Sequence, residues 1–477
     1  MKDELERESK WDVDPACTLP TLDDLVPGSR VETTQVELTS TYFDTTDHDL
    51  LAQNVTLRRR TGADESGWQL KVPQEDGRVE LTAALSDDLP RELADLVTGV
   101  ALGKELDPVT TIRTLRTRHR VFGADGELVV EVDDDTVHTT PAEQDADPLD
   151  WREIEIELGP QTDTAPTVLV DRLVDAGARP STYPSKLSRV LPARSGPKIT
   201  TDAERAIYDY MTAQIDTMFT GDIALRRGEN PIHDTRVASR RLRSTLRVFG
   251  KLLDPPAIAD IEDELKWFAG LLGEVRDCQV QRRHLADKIS ELPLELVLGP
   301  VATRIDSTLL SKQLTSRKEL AEAMNSPRYL KLLATLREWK SHPPLGPRIK
   351  GRKLVQRADR AARKADRRLE TALEDQRDES LHRARKAAKR ARYAAELQEP
   401  VRDRAQAKSN IKHYKQIQRV LGDHNDSVVS AAFLWRTATA AGTAADENGF
   451  TFGLLYANEK HAAADARERI AEIAAAR

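Results

Sequence analysis

Apolar and polar positions alternate in short runs over the first 190 residues, then change to a helical period beyond residue 200. Ile154, Ile156 and Leu158 interleave with Glu153, Glu155 and Glu157, which is the two-residue period of a strand with one charged face. Similar alternation over 4–10, 35–43, 54–60, 68–73 and 127–133 predicts further strands. Turn signals such as Thr61-Gly62 and Asp76-Gly77 separate them. Two stretches, 90–102 and 165–176, lose this period and predict helices. The N-terminal region therefore predicts a sheet or barrel with a few helices. Pro192 through Lys198 reads as a linker, and beyond it Ala, Leu, Arg and Glu dominate with few strand formers, which predicts an all-helical segment. The expected domains are 1–191 and 200–477, joined by 192–199.

In the helical segment, a pair of motifs recurs at one offset of 149 residues. His233-Asp-Thr-Arg236-Val-Ala238-Ser-Arg240-Arg241-Leu-Arg243 returns as His382-Arg-Ala-Arg385-Lys-Ala387-Ala-Lys389-Arg390-Ala-Arg392. Leu272-Gly273-Glu-Val-Arg-Asp277 returns as Leu421-Gly422-Asp-His-Asn-Asp426. Unrelated motifs sharing one shift indicate a duplicated unit. The Pro343-Pro344-Leu345-Gly346-Pro347 stretch separates the copies, giving halves of about 200–342 and 348–477. A pair of pseudo-equivalent helical bundles follows.

Composition changes the picture through charge. A chain of 477 residues exceeds what one core supports, and its net charge of −7 conceals a division. Residues 1–200 hold 22 Lys and Arg against 40 Asp and Glu; the remainder holds 50 against 39. An acidic region joined to a basic one suggests separate tasks. Cys17 and Cys278 allow no disulfide framework and no zinc pattern, and fit a reducing compartment. Residues 1–20 lack the apolar core of a signal peptide, and no apolar run approaches the roughly 18 residues that span a bilayer. A soluble, cytoplasmic protein is expected. No Gly-x-x-x-x-Gly-Lys-Ser/Thr loop occurs, which excludes a P-loop NTPase.

On a helix, His233, Arg236, Arg240, Arg243 and Arg247 fall within an arc of roughly 80°, with Arg241 beside them. The second copy offers His382, Arg385, Lys389 and Arg392, with Arg390 beside, and Glu396 ends its run. Like charges so placed repel by about 0.2–0.5 kcal/mol per pair unless an anion lies along them. Acids on neighbouring helices could supply it, and Asp277 and Asp426 are the candidates. Guanidiniums at a regular rise also suit a linear phosphate chain, each binding two oxygens. These paired motifs resemble the CHAD domain, the conserved-histidine α-helical domain, over roughly residues 200–477. The resemblance implies two pseudo-symmetric four-helix bundles whose basic helices bind inorganic polyphosphate; association with polyphosphate granules is a further expectation. Lys389 in place of a second Arg240 keeps the charge but loses the bidentate geometry. Only Phe249 and Tyr393 lie among the stripes, so nucleic-acid binding by base stacking is disfavoured.

In the acidic region the signs sort by segment. Glu6, Glu8 and Lys10 share one strand face, Arg58 and Arg60 another, Gln69 and Lys71 a third. Glu131, Asp133 and Asp135 share a face, as do Glu153, Glu155 and Glu157, while Arg113, Arg116 and Arg118 form a basic cluster. If the sheet closes, these faces line a lumen in which carboxylates hold Mg²⁺ or Mn²⁺ and cations clamp phosphates. Glu6-x-Glu8-x-Lys10, Thr41-Tyr-Phe-Asp-Thr45, Leu57-Arg58-Arg59-Arg60 and Trp151-Arg-Glu-Ile-Glu155-Ile-Glu157-Leu resemble the CYTH domain of the triphosphate tunnel metalloenzymes.

That resemblance implies an eight-stranded antiparallel tunnel barrel and metal-dependent hydrolysis of a triphosphate, inorganic or organic, or less often cyclisation of ATP. It assigns Glu6, Glu8, Asp133, Asp135, Glu155 and Glu157 to the metal, and Glu6, Glu8, Lys10, Glu155 and Glu157 to catalysis. Lys10, Arg58, Arg60, Lys71, Lys186 and members of Arg113, Arg116 and Arg118 would bind the triphosphate. Which of those three arginines, and which of Glu131, Asp133 and Asp135, face inward stays open. An alternative is a non-enzymatic polyphosphate-binding protein whose barrel has lost turnover. The overall fold class expected is α+β multidomain, and the oligomeric state is undetermined.

Overall fold

The computed structural model describes the chain except residues 1, 63–64, 75–76, 142–147, 192–195, 443–447 and 476–477. It resolves into two compact units, Met1–Ser195 and Gly196–Arg477. Four of the eight residues of the expected linker lie outside the described residues.

The first unit is one antiparallel sheet. Its strands are β1 (Lys2–Glu6), β2 (Glu8–Val13), β3 (Arg30–Asp44), β4 (Thr56–Thr61), β5 (Gly67–Gln74), β6 (Gly77–Ala83), β7 (Asp107–Phe122), β8 (Leu128–Pro141), β9 (Asp150–Leu158) and β10 (Arg179–Pro180). They pair in the order β1-β6-β5-β4-β3-β7-β8-β9-β2-β10. The architecture is the expected one, but the sheet has ten strands among the described residues, not eight, and its hydrogen-bonded order is open. The added count has a simple origin. Arg7 interrupts one extended N-terminal stretch, and β10 is only two residues long. That stretch borders both sides of the sheet: Glu6 pairs with Arg78 of β6, and Glu8 with Glu157 of β9.

Three helices complete the unit: α1 (Arg91–Val97), α2 (Thr167–Asp175) and α3 (Lys186–Val190). Val130, Val132, Ile154 and Ile156 pack with Leu169 and Leu173 of α2, all six nearly solvent-free. Burying each such side chain contributes about 1.5–3 kcal/mol. The apolar face of β8 and β9 is thus covered by a helix, which leaves the charged face to the other side of the sheet.

The second unit is helical: α4 (Asp202–Arg226), α5 (Ile232–Phe249), α6 (Ile261–Ser290), α7 (Val301–Met324), α8 (Pro327–Ser341), α9 (Gly351–Asp375), α10 (Asp378–Gln398), α11 (Arg404–Ala441) and α12 (Phe450–Ala475). The duplication is visible in their bounds. Asp202 opens α4 and Gly351 opens α9, 149 residues later; Val301 and Phe450 open α7 and α12 at the same interval. Helices α4 to α7 pack in succession, as do α9 to α12, and α5 lies against α10 between the two sets. The extra α8 packs on α4, where Tyr329 donates its hydroxyl to buried Asp222 at 3.1 Å. The segments that open the halves are fastened to each other. The Thr201 hydroxyl donates to the Ile349 carbonyl at 2.7 Å, and the Ile349 amide donates to Glu204 at 2.9 Å. Among the described residues no helix is long and apolar enough to cross a membrane.

Candidate functional sites

The inner face of the sheet lines a cavity of about 770 Å³, most of whose lining residues are charged. Strand parity explains its make-up, because residues two apart project to the same side. Arg58 and Arg60 enter from β4, Lys71 from β5, Arg116 and Arg118 from β7, and Glu155 and Glu157 from β9. Glu6, Glu8 and Lys10 enter from the N-terminal stretch, and Lys186 from the first turn of α3. The turn that delivers Lys186 is held by a capping box between Ser185 and Ser188.

Each cation is fixed by named partners. Arg58 donates its Nε to Gln69 at 2.6 Å and a terminal N–H to the Tyr42 hydroxyl at 3.2 Å. Arg60 donates to the Ser40 hydroxyl at 3.0 Å and pairs with Glu65, which also holds Arg118. Lys71 lies 2.7 Å from Glu6 and 3.3 Å from Glu80. Arg116 forks onto Asp135 at 2.7 and 2.8 Å, reaches Glu155 at 2.6 Å and pairs with Asp133. Lys10 pairs with Glu8 at 3.2 Å and with Glu155.

Two groups of carboxylates behave differently. Oxygens of Asp135, Glu153 and Glu155 lie within 4.8 Å of one another, but the Lys186 ammonium sits 2.7–2.8 Å from all three. Burial disfavours charge on Lys186, yet these acids outweigh it and hold its pKa well above the ordinary range. That triad already has its cation. Glu157 has none: among the described residues no ion pair or hydrogen bond reaches its carboxylate, and Glu8 and Glu131 stand directly opposite it on the two flanking strands. Burial and then Glu6 push its pKa up to about 8, with Glu131 and Glu8 adding and Lys71 opposing. Burial would also raise Glu8, but Lys10 and Lys71 outweigh it and hold that carboxyl at about 2. Like charges directly opposed on a sheet are destabilising. Its neighbours are paired, Glu6 with Lys71, Glu8 with Lys10, and Glu131 with Arg118 and Arg120 at 2.9 and 2.8 Å, so Glu157 is the one acid of this group left without a cation among the described residues.

The parity also resolves the open choices. Arg116 and Arg118 line the cavity, whereas Arg113 is exposed on the other face of β7 and takes no part. Glu131 and Asp133 line it, and Asp135 lies beneath, fully buried under Arg116 and Lys186. Burial, with Asp135 and Glu131 adding and Arg116 opposing, pushes Asp133 up to about 7. Tyr42, Glu65, Arg78, Glu80 and Arg120 also line the cavity, beyond the residues expected from the sequence. Arg78 and Glu80 carry the same alternating signal, in Gly77-Arg-Val-Glu-Leu-Thr-Ala. Glu65 sits in a turn, where no period could mark it.

In the second unit, a cavity of about 430 Å³ lies between α5 and α10. His233, Arg236 and Arg240 face it from one helix, and His382, Arg385 and Lys389 from the other. The second repeated motif now has a reason. Arg236 lies across Gly273 and pairs with Asp277 at 2.9 Å, and Arg385 lies across Gly422 toward Asp426 at 3.9 Å. A Cβ at Gly273 would come within 3.0 Å of the Arg236 guanidinium. The two acids therefore account for two of the cations and no more. Arg240 donates to the Tyr393 hydroxyl, at 3.1 Å, and Lys389 has no acidic partner among the described residues. Burial first, then Arg385, Arg240 and Arg236, push Lys389 down to about 6. Burial and neighbouring cations hold His233 and His382 below the usual histidine value as well, although the Asn425 amide oxygen, 2.8 Å from His382 Nδ1, opposes this.

The remaining stripe residues diverge. Arg241 and Arg392 both reach Glu396, at 3.1 and 2.8 Å, and Arg243 and Arg247 both pair with Glu262. Arg390 bonds to the backbone carbonyl of Lys386, at 3.2 Å. Arg276 also enters the cavity, from α6; its duplicate is Asn425, so the repeat concealed it.

The sequence model of the CYTH domain matches residues 5–179, and that of the CHAD domain matches residues 209–435. The Mycobacterium tuberculosis protein Rv2226, itself uncharacterized, is 35% identical over 504 residues, covering 98% of this chain and 95% of its own. The chain belongs to the CYTH–CHAD family. The crystal structure of the CHAD domain from Ricinus communis is similar to it at 24% identity and a TM-score of 0.47, over 60% of this chain and 95% of that one. HpAC1 from Hippeastrum, described as having a dominant triphosphatase activity, is 20% identical over 39% of this chain and 94% of its own, with a TM-score of 0.22.

Proposed function

We propose that the CYTH unit hydrolyses a triphosphate with the aid of Mg²⁺ or Mn²⁺, and that the CHAD unit binds inorganic polyphosphate. On this reading residues 1–191 and 200–477 act as separate domains of a cytoplasmic protein that associates with polyphosphate granules. The observation that carries the hydrolytic assignment is the convergence of Glu6, Glu8, Arg58, Arg60, Lys71, Arg116 and Lys186 on one enclosed volume. Neither a solvated face nor a structural ion-pair network requires an unpaired acid there, and Glu157 is one among the described residues.

Arg58, Arg60, Lys71 and Arg118 take the phosphate oxygens, with Lys10, Arg116 and Lys186 completing the cationic wall. Glu65 now holds Arg60 and Arg118, so a phosphate group displaces it to reach them. Glu6, Glu8 and Glu157 would hold the divalent ion, which supplies Lewis acidity and a more acidic bound water. Water attacks the terminal phosphorus and its P–O bond to the bridging oxygen breaks. Asp133, buried and pushed up to about 7, accepts the water proton, a task poorly suited to Glu155, which Lys10, Arg116 and Lys186 hold well below the usual carboxylate range against the cost of burial. Arg116 and Arg58 stabilise charge on the equatorial oxygens, as donors already fixed in place that need no reorganisation.

Phosphate release from tripolyphosphate, ATP and thiamine triphosphate, with and without Mg²⁺, tests this reading. Metal-dependent release from at least one is expected, and Glu8→Gln should abolish it while far-UV circular dichroism stays unchanged. Turnover unaffected by Glu8→Gln would overturn the assignment. For the CHAD unit the supporting observation is the crowding of Arg240 and Lys389, which no acid matches among the described residues, against Arg236 and Arg385. A linear chain of phosphates supplies the missing charge, and among the described residues no Phe, Tyr or Trp lines the cavity to stack a base.

A further inference from the structure

Beyond the central cavity, two more border the α5–α10 pair. One, of about 420 Å³, is lined by Arg247 and by Arg357, Arg360 and Lys364 of α9, together with Arg390. The other, of about 410 Å³, is lined by Asp202, Arg205, Asp209 and Tyr210 of α4, together with Glu396. They share one duplicated edge: Arg247 and Glu396 are 149 residues apart, as are Val248 and Leu397, whereas the α4 and α9 residues that line them stand at different positions of these equivalent helices.

The two cavities differ in sign. Where Arg241 meets Glu396 at 3.1 Å, its counterpart Arg390 faces Arg247. Among the described residues no carboxylate lines the first cavity. Glu262 of α6 engages Arg243 and Arg247 from outside it, and leaves Arg357, Arg360, Lys364 and Arg390 without an acid among those residues. In the second cavity three carboxylates surround a single Arg205, and Glu396 is further occupied by Arg392 and by the Tyr210 hydroxyl at 3.2 Å. Arg368 and burial, with Arg390, Arg367 and Arg247, hold the Lys364 pKa below the ordinary value, as expected for cations gathered without a counter-ion.

We propose that the polyanion groove of the CHAD unit has one open end: a phosphate chain seated between α5 and α10 continues onto α9 and stops at Glu396. This rests on the reading that the central cavity binds inorganic polyphosphate. The α9 cations form a second subsite for it, specific for chains long enough to leave the centre. At the other cavity Asp202 and Asp209 outnumber Arg205, and Glu396 already takes up Arg241 and Arg392, so the chain finds no spare cation there and lies in one direction only.

The full-length protein, in EDTA to silence turnover, is titrated with long-chain polyphosphate at several salt concentrations. Four variants are compared with the wild type: Arg240→Ala, Lys389→Met, the triple Arg357→Ala/Arg360→Ala/Lys364→Ala, and Arg205→Ala. The triple variant should lose roughly tenfold in affinity and about two units of salt-dependence slope, since each lost phosphate contact removes about 0.7. Arg205→Ala, which removes the one cation at the acidic end, should bind as the wild type does. Retained affinity in the triple variant, alongside weakened binding by Arg240→Ala and Lys389→Met, sinks the one-ended groove alone. Equal losses in the triple and Arg205→Ala variants sink it too, by showing both ends occupied. If the wild type does not bind, or the two central variants bind normally, the polyphosphate reading itself fails.

Discussion

Lys186 stands 2.7–2.8 Å from three carboxylates, and its removal would strand them in a buried site. Lys186→Met should therefore destabilise the CYTH unit by about 3–5 kcal/mol, the usual cost of stranding buried charge. Thermal unfolding reads this, and an unchanged midpoint would show that the triad is not buried as described. Lys389 makes the opposite prediction for the CHAD unit. It faces Arg236 and Arg240 of α5, His382 and Arg385 of α10, Arg276 and Asp277 of α6, and Asp426 of α11. Its folded pKa of about 6 lies below the unfolded value, so the folded state binds fewer protons and stability rises as pH climbs from about 6 through the ordinary lysine range. A bound polyanion restores the charge. Polyphosphate binding near pH 7.5 should then take up close to one proton, measurable by calorimetry in buffers of different ionisation enthalpy, and Lys389→Met should abolish the uptake. At this scale legibility follows strand parity. Spacing alone puts Glu155 with Glu157, Arg58 with Arg60, and Lys71 with Gln69 on shared strand faces, whereas it cannot place Glu65, because a turn has no period.

At the scale of elements, the alternating strands carry an inverted amphipathicity. Ile154 and Ile156 are covered by α2 while Glu153, Glu155 and Glu157 turn to the enclosed face, so charge marks the interior. Spacing shows the two faces but not which is inside; sorting of acids and bases onto separate strands is the usable signal. The count of strands is less legible, since the break at Arg7 depends on how one stretch divides between β6 and β9. The repeated Leu-Gly element is visible as a motif, yet its purpose needs three dimensions: the glycines let arginines lie against α6 and α11. A helical Gly→Ala change is worth about 1 kcal/mol where space allows. At Gly422 the new Cβ meets Arg385 at an ordinary 3.5 Å, but at Gly273 it meets Arg236 at 3.0 Å. Gly422→Ala should accordingly raise the unfolding temperature more than Gly273→Ala. Equal gains would mean Arg236 does not rest on α6.

Across the whole molecule, an acidic unit and a basic unit use one device, ionic side chains turned toward enclosed spaces. The charge division along the chain is readable from composition, and the duplication from its single offset. The difference in sign between the two flanking cavities is not, because it depends on which residues of α4 and α9 meet Glu396 and Arg247. The central claim is that the CYTH cavity keeps its acids for a metal ion and a phosphate chain, at a cost to the fold. Glu157 is where that cost is concentrated, facing Glu8 and Glu131 with no cation of its own among the described residues. The most direct test compares Glu157→Gln with the wild type for Mg²⁺-dependent phosphate release and for unfolding temperature without metal. The account predicts a loss of release of roughly 100-fold or more, as for removal of a group essential to charge stabilisation, with an unfolding temperature equal to or above that of the wild type. Full release by the variant, or a marked fall in its unfolding temperature, would contradict it.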